Sequence, residues 1–200
     1  WLLSNGTSHP VDFEIGTQCS VAANAFILAL PGCTYLYQGD ELGLHEVADI
    51  PEDQIQDPQY LRNHKKMKGR DGCRVPLPWT REGSNFGFGE GTPHLPQPEW
   101  FGSYSVEAQS GHEQTPLEIF RKALKLRREL QCEEEITWHT TTRDDVLHFS
   151  RPNGWNCITN FKGGKYPMPQ TVTDKGQVLL STQPLVDGKI PSGTTVWFKA

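Results

Sequence analysis

The stretch ALPGCTYLYQGDELG, residues 29–43, decides how the rest of the chain is read. It joins an apolar helix to a short apolar strand and ends in Gly39, Asp40 and Glu41. Just upstream, residues 21–30 are rich in Ala and Leu, strong helix formers, and Ser20 is placed to cap them. Ala22, Ala25, Phe26, Ala29 and Leu30 put apolar side chains on every side, so this helix is packed between other elements. Pro31-Gly32 stops it, because proline lacks an N–H and clashes with the preceding turn while glycine accepts a left-handed exit. Residues 33–37 are then predicted to be a buried parallel strand, being short, apolar and flanked by a tight turn. Gly39 and Gly43 let the backbone turn where that strand emerges. An α/β fold usually places its chemistry at such a strand end, which makes Asp40 and Glu41 candidate general acids or bases.

Residues 1–3 are apolar and run into Ser4, Asn5 and Gly6, as a strand end enters a turn. Residues 6–18 show no periodicity over their full length and are predicted as a loop, with weak alternation at Val11, Phe13 and Ile15. The start has no Met and no basic region, so it is not a signal peptide. It reads as a chain begun mid-protein or as a processed product. Asn5-Gly6-Thr7 fits the glycosylation pattern, which matters only if the chain is secreted.

Downstream, residues 44–113 hold no long periodic element. Asp57-Pro58, Pro76, Pro78, Pro93, Pro96 and Pro98 punctuate them, and glycines cluster between 83 and 91. So long a connection is functional or disordered, and its aromatics Trp79, Phe86, Phe88, Trp100, Phe101 and Tyr104 argue against disorder. Lys65, Lys66, Lys68 and Arg70 suit a phosphate site, but a solvated loop face is the more ordinary reading. Thr115-Pro116-Leu117-Glu118 opens a helix with a capping residue, proline at the first position and a capping-box glutamate. That helix runs to about Leu130, with Ile119, Ala123, Leu126 and Leu130 in one stripe and Leu117, Phe120 and Leu124 beside it. Arg127 and Arg128 near its end suit its dipole.

From Glu133 the period switches to two. Residues 136–139, 146–149, 155–159, 177–180 and 194–198 are predicted strands of a small antiparallel sandwich, separated by turns rich in Gly, Asn, Asp and Pro. Two domains are therefore expected, 1–131 and 132–200, with a boundary near residues 131–135.

The chain has 200 residues and a formal charge of −5, which offers no attraction to nucleic acid or an anionic membrane. No run of about 18 apolar residues exists to span a bilayer. Cysteines at 19, 33, 73, 132 and 157 form no CxxC pair, so neither a zinc knuckle nor a redox dithiol is suggested. Reduced thiols in a cytoplasmic protein are the plain reading, and no metal or cofactor is expected.

These pieces line up with a known family. ALPGCTYLYQGDELG resembles the segment around the eighth barrel strand of the α-amylase superfamily, glycoside hydrolase family 13. GRDGCRVPLPW (69–79) and LPQPEWFGSYSVEAQ (95–109) are similar to its α-glucosidase and oligo-1,6-glucosidase branch. PLEIFRKALKLRRE (116–129) resembles the eighth barrel helix, and the β-rich tail sits where the family keeps its C-terminal β-domain. The resemblance implies an α/β fold: the last part of a (β/α)8 TIM barrel, strands 7–8 and helices 7–8, with a β8–α8 excursion at 42–113, followed by an antiparallel β-sandwich. More than half of a complete enzyme would lie outside the chain.

That implication bears on the chemistry. Retaining glycoside hydrolysis needs two carboxylates across the glycosidic bond, one attacking the anomeric carbon and one protonating the leaving oxygen. In this family both lie on the fourth and fifth strands, upstream of these residues. A third carboxylate follows the seventh strand in an Asn-His-Asp motif. WLLSN matches the approach and Asn5 the asparagine, but Gly6 and Thr7 stand in place of the His and Asp, and Asp12 has the wrong spacing. No catalytic residue is therefore assigned. The resemblance makes Asn5, Arg74 and Asp71 substrate-binding residues and Gly39, Glu41 and Trp79 possible pocket wall. Arg74 would pair with an aspartate from an early barrel loop and close the pocket on a terminal glucose; its planar fork holds a carboxylate or two hydroxyls bidentately. Asp71 would order its loop, and Trp79 suits packing as well as stacking.

The expected substrates are short α-glucosides such as maltose or isomaltose, hydrolysed with retention by the whole protein. A non-catalytic structural or carbohydrate-binding role is the alternative for this chain alone, and an unrelated β-sandwich module with an α/β appendage is a third reading. Two barrel strands cannot close a barrel, so the chain is expected to associate or aggregate unless the rest of the barrel is supplied.

Overall fold

The computed structural model describes residues 13–63, 66, 69–170 and 176–199, with side chains from residue 16 onward. The first helix, α1, spans Phe13–Ala29. It begins earlier than its residue pattern suggests: residues 13–18, read as loop, are helical. Tertiary contacts extend it. Thr17 Oγ1 lies 3.2 Å from His45 Nε2, and the Cys19 thiol donates to the Phe161 carbonyl. Such contacts outweigh a weak intrinsic propensity, since most helix stability in proteins comes from packing.

Residues 33–37 correct the sequence reading. They are not a hydrogen-bonded strand; Cys33 is exposed and Tyr35 is 73% exposed. A parallel strand takes its hydrogen bonds from neighbouring strands, and none of the strands among the described residues pairs with this segment. The chain then turns through Gly39, whose φ is 94°, into a single 3-10 turn at Asp40–Leu42.

The connection from 44 to 113 is ordered by short elements rather than long ones. Helices α2 (Pro58–Arg62) and α3 (Val106–Gln109) alternate with 3-10 turns at Glu52–Gln54, Asp71–Cys73, Ser84–Gly87 and Glu99–Tyr104. Val47, Ile50, Val75, Leu95 and Phe101 form a core of its own beneath them.

Helix α4 spans Pro116–Glu129. Leu117, Ile119, Phe120 and Ala123 are buried, whereas Leu124, placed beside the stripe from sequence, is 46% exposed. The capping box does not form. Thr115 gives its hydroxyl proton to the Gln109 and His112 carbonyls, and Glu118 accepts from the Gly111 N–H. Arg127 serves α1 rather than its own helix: its guanidinium donates to the carbonyls of Leu28, Leu30 and Gly32. A cation on the orphan carbonyls at a helix C-terminus is where the helix dipole favours it.

Among the described residues the tail contains seven strands: β1 (Thr137–His139), β2 (Val146–Ser150), β3 (Trp155–Asn160), β4 (Tyr166–Pro167), β5 (Gln177–Ser181), β6 (Lys189–Ile190) and β7 (Thr194–Lys199). Five form an antiparallel sheet in the order β1-β2-β3-β7-β5, and β4 pairs with β6. Period-two alternation sends the side chains of the central strands to opposite faces. Trp155, Cys157 and Trp197 face α1 and α4, where they pack on Val21, Ala25, Leu28, Ile119, Phe120 and Ala123. Ile158, Val196 and Phe198 face the β4–β6 pair and pack on Tyr166 and Ile190. The helix–sheet contact is also polar. Trp197 Nε1 donates to the Ala25 carbonyl, Thr195 Oγ1 to the Ala22 carbonyl and Arg151 Nη1 to the Ala29 carbonyl. Because α1 and α4 share one core with the sheet, the segment between them is held at both ends on a rigid base.

Candidate functional site

The residues singled out from sequence gather where the chain leaves the 33–37 segment and along the connection that follows. Asn5, together with Gly6, Thr7 and Asp12, lies outside the described residues.

Arg74 and Asp71 belong to a two-carboxylate clasp. Asp71, buried, accepts the backbone N–H groups of Gln56 at 2.6 Å and Asp57 at 2.8 Å on Oδ2. Asp57 answers in kind. It accepts the Gln59 N–H on Oδ1 and the Arg70 N–H on Oδ2, both at 2.8 Å, and meets Arg74 Nη1 at 3.2 Å. The N–H groups of Gln59 and Arg70, followed by the Arg74 charge, hold the Asp57 carboxyl below the usual carboxylate range.

Two glycines of GRDGCR make the clasp possible. Gly69 has φ 77°, and a Cβ there would lie 2.5 Å from the Asp57 carboxyl carbon. At Gly72 a Cβ would lie 2.6 Å from the Val47 carbonyl oxygen, and the Val47 N–H bonds the Gly72 carbonyl at 3.0 Å. The result presents an arginine whose base is fixed while its side chain stays 45% exposed.

Arg74 is placed next to the end of the 33–37 segment. The Tyr37 phenol lies beside Cys73, and burial together with that thiol raises its pKa. Gly39 sits under the following loop: a Cβ there would be 3.4 Å from Leu77. The two carboxylates at this turn face inward to the backbone. Asp40 Oδ2 accepts the Tyr37 N–H at 3.0 Å, and Glu41 Oε2 accepts the Gly39 N–H at 2.9 Å. Burial pushes the Asp40 carboxyl up from its ordinary range. Both therefore shape the turn. Trp79 is 51% exposed; its backbone is tied down by its N–H to the Phe86 carbonyl and by the Glu107 N–H to its own carbonyl. The geometry thus places Tyr37, at the foot of the Gly39–Glu41 turn, beside the loop that carries Asp71 and Arg74, and leaves Trp79 half exposed on a fixed loop.

Sequence reasoning missed three contributors. Asp57 was seen only as half of a turn signal, though Asp-Pro before a helix is a legible N-cap with proline at the first position. Gln109 carried no signal. Its buried amide donates to the Leu42 and Tyr104 carbonyls and accepts the Leu117 N–H. It thereby joins the Asp40–Leu42 turn, the Glu99–Tyr104 turn and the start of α4. His45 was also unread. It lies 3.1 Å from the Tyr104 hydroxyl and against the rings of Trp100 and Tyr104, and burial lowers its pKa.

Comparison with known proteins sets this arrangement in context. The chain is 33% identical over 132 residues to a probable α-glucosidase of Rhizobium meliloti, covering 65% of this chain and 23% of that protein. It is 27% identical over 186 residues to an oligo-1,6-glucosidase of Parageobacillus thermoglucosidasius, covering 81% of this chain and 33% of the relative. It thus spans about a quarter to a third of the length of these curated relatives. Among solved structures, an α-glucosyl transfer enzyme superposes with TM-score 0.70 at 26% identity, over 92% of this chain and 36% of the other. The trehalulose synthase MutB matches in fold, with TM-score 0.75 at 17% identity over 100% of this chain and 43% of its own. Residues 8–135 match the family model described as α-amylase, catalytic domain, so the chain belongs to the α-amylase family of glycoside hydrolases.

Proposed function

We propose that this chain is the C-terminal part of a retaining α-glucosidase acting on short α-glucosides such as maltose or isomaltose. In this reading α1 is the seventh barrel helix, residues 33–37 the eighth strand and α4 the eighth helix, with residues 132–200 as the C-terminal β-domain. The observation that carries it is the clasp around Arg74, built on the GRDGCR motif (69–74) in the connection that follows the 33–37 segment. A fixed but half-exposed guanidinium suits sugar hydroxyls or a carboxylate on a neighbouring barrel loop. That no strand among the described residues pairs with the 33–37 segment supports the further reading that the rest of the barrel is needed to close the fold.

In this proposal the chain contributes binding and positioning. Arg74 closes the end of a glucose pocket, Asp71 and Asp57 hold its loop, Trp79 offers a ring to a sugar face, and Gly39 and Glu41 shape the wall. Asn5 is proposed as a further hydroxyl ligand. The nucleophile and the acid would come from the remaining barrel strands. No cofactor enters this reaction. The five free cysteines favour a reducing compartment, and the cytoplasm is the proposed location. No helix among the described residues is long and apolar enough to cross a membrane.

The inward-facing carboxylates of Asp40 and Glu41 favour a second reading for the chain acting alone, a non-catalytic carbohydrate-binding or structural protein. Intact mass of the native protein, detected through a peptide such as VPLPWTR, followed by assay on maltose and isomaltose, separates the two. A mass above that of these 200 residues, with glucose released, supports the first reading. A mass equal to it, with no hydrolysis, overturns it.

A further inference from the structure

The tail carries a feature that the hydrolase reading leaves unused. His139 on β1 and His148 on β2 are direct register partners in the antiparallel sheet. Their rings stack with centroids 4.3 Å apart and an interplanar angle of 32°. His139 Nε2 lies 2.8 Å from Ser150 Oγ, and His148 Nε2 lies 3.2 Å from Asn156 Oδ1. Ser150 and Asn156 are themselves register partners across β2 and β3. Both Nε2 atoms are therefore aimed toward the same end of the stack, where two neutral oxygen donors already stand.

We propose that His139 and His148 form a chelating site for a borderline divalent transition-metal ion, with Asn156 Oδ1 and Ser150 Oγ as its oxygen neighbours. The chemistry of the donors selects the ion. Two imidazoles favour copper, nickel or zinc, and the absence of a carboxylate among these four side chains disfavours magnesium and calcium. Asn156 Oδ1 can only accept, because Asn156 Nδ2 donates to the Gly154 carbonyl, so without metal His148 carries its proton on Nε2; binding moves that proton to Nδ1 and exchanges this hydrogen bond for the bond from the Nε2 lone pair to the metal. The Asn156 oxygen that now faces Nε2 then faces the ion. The Phe198 ring, 5.8 Å from His148, and Ile158, its register partner on β3, form the apolar side of the site. Among the described residues no group of three or more His, Cys, Asp or Glu could hold a metal, so this two-imidazole pair is a site of a different composition.

The test is titration of the full chain at neutral pH with CuCl2, NiCl2 and MgCl2 in turn, followed by calorimetry, with electron paramagnetic resonance on the copper sample. The expected result is one ion per chain, with copper tighter than nickel, no magnesium binding and two imidazole nitrogens on copper. His139→Gln and His148→Gln should each weaken binding by on the order of tenfold or more. His139 is exposed, so its variant keeps the fold, and an unchanged melt in the absence of metal checks this. No copper binding, or binding that survives either substitution, overturns the proposal.

Discussion

The sheet of the tail and the 44–113 connection solve the same problem in different ways. β3 is buried along its whole length, and Trp155, Trp197, Phe149 and Phe198 are at most 1% exposed. Its order comes from apolar area removed from water on both faces. The connection has a small core of five buried apolar residues and is otherwise held by side chains bonded to backbone: Asp57, Asp71 and Gln109. Dispersed apolar packing tolerates small changes, whereas a clasp of a few buried polar groups fails when one partner is lost, because an unmet buried donor or acceptor costs its desolvation. That difference fits a rigid base carrying a shaped loop.

The largest effect is expected at the base. Trp197→Ala removes a fully buried ring and its bond to the Ala25 carbonyl, and should destabilise by about 3–5 kcal/mol in denaturant melts. A smaller loss would show that α1 is not anchored through this residue. Gln109→Leu leaves three backbone groups without their partner. It should cost about 2–3 kcal/mol, with faster amide exchange confined to the connection and the start of α4. Exchange rising equally in β3 and β7 would break the contrast between the two regions. Gly69→Ala forces a side chain into φ 77° against Asp57, for about 1–3 kcal/mol. It should expose the clasp to protease while the sheet stays protected.

Acidification sharpens the comparison from the tail side. The folded-state pKa of His148, about 4, lies below its ordinary 6.5. The unfolded chain therefore takes up this proton first, so stability should fall as pH drops from about 6.5 to about 4 and then level off for this group. His148→Gln should flatten that slope, and an unchanged slope would count against burial of the ring. The smallest effect on stability is expected for Arg74→Lys, within about 1 kcal/mol, because its ion pair is half exposed. On the proposed α-glucosidase reading, the same change in the full-length protein should raise KM for maltose, since an ammonium cannot reproduce the planar fork.

Local signals account for much of what was legible. The Gly39–Gly43 turn, the Pro116 helix start and all five principal strands follow from glycine freedom, proline geometry and a change of period from 3.6 to two. The resemblance of GRDGCR and its neighbours to an α-glucosidase branch was readable from motif order alone. The clasp was half legible: Asp71 and Arg74 stand in the motif, but Asp57 joins from fourteen and seventeen residues away. No short-range pattern encodes that distance.

What needed three dimensions was every partner chosen across the chain. Residues 33–37 carry strand chemistry, yet a strand exists only with a neighbour to bond, and no strand among the described residues pairs with this segment. Glu118 had the spacing of a capping box, but the Thr115 N–H bonds the His112 carbonyl and the Glu118 carboxylate accepts the Gly111 N–H instead. Arg127 had the position of a dipole partner for its own helix and instead closed the end of α1. Periodicity and turn chemistry act through adjacent residues, so the chain alone determines them. Hydrogen-bond partners of buried polar groups depend on which elements meet, and that is settled only when the core forms.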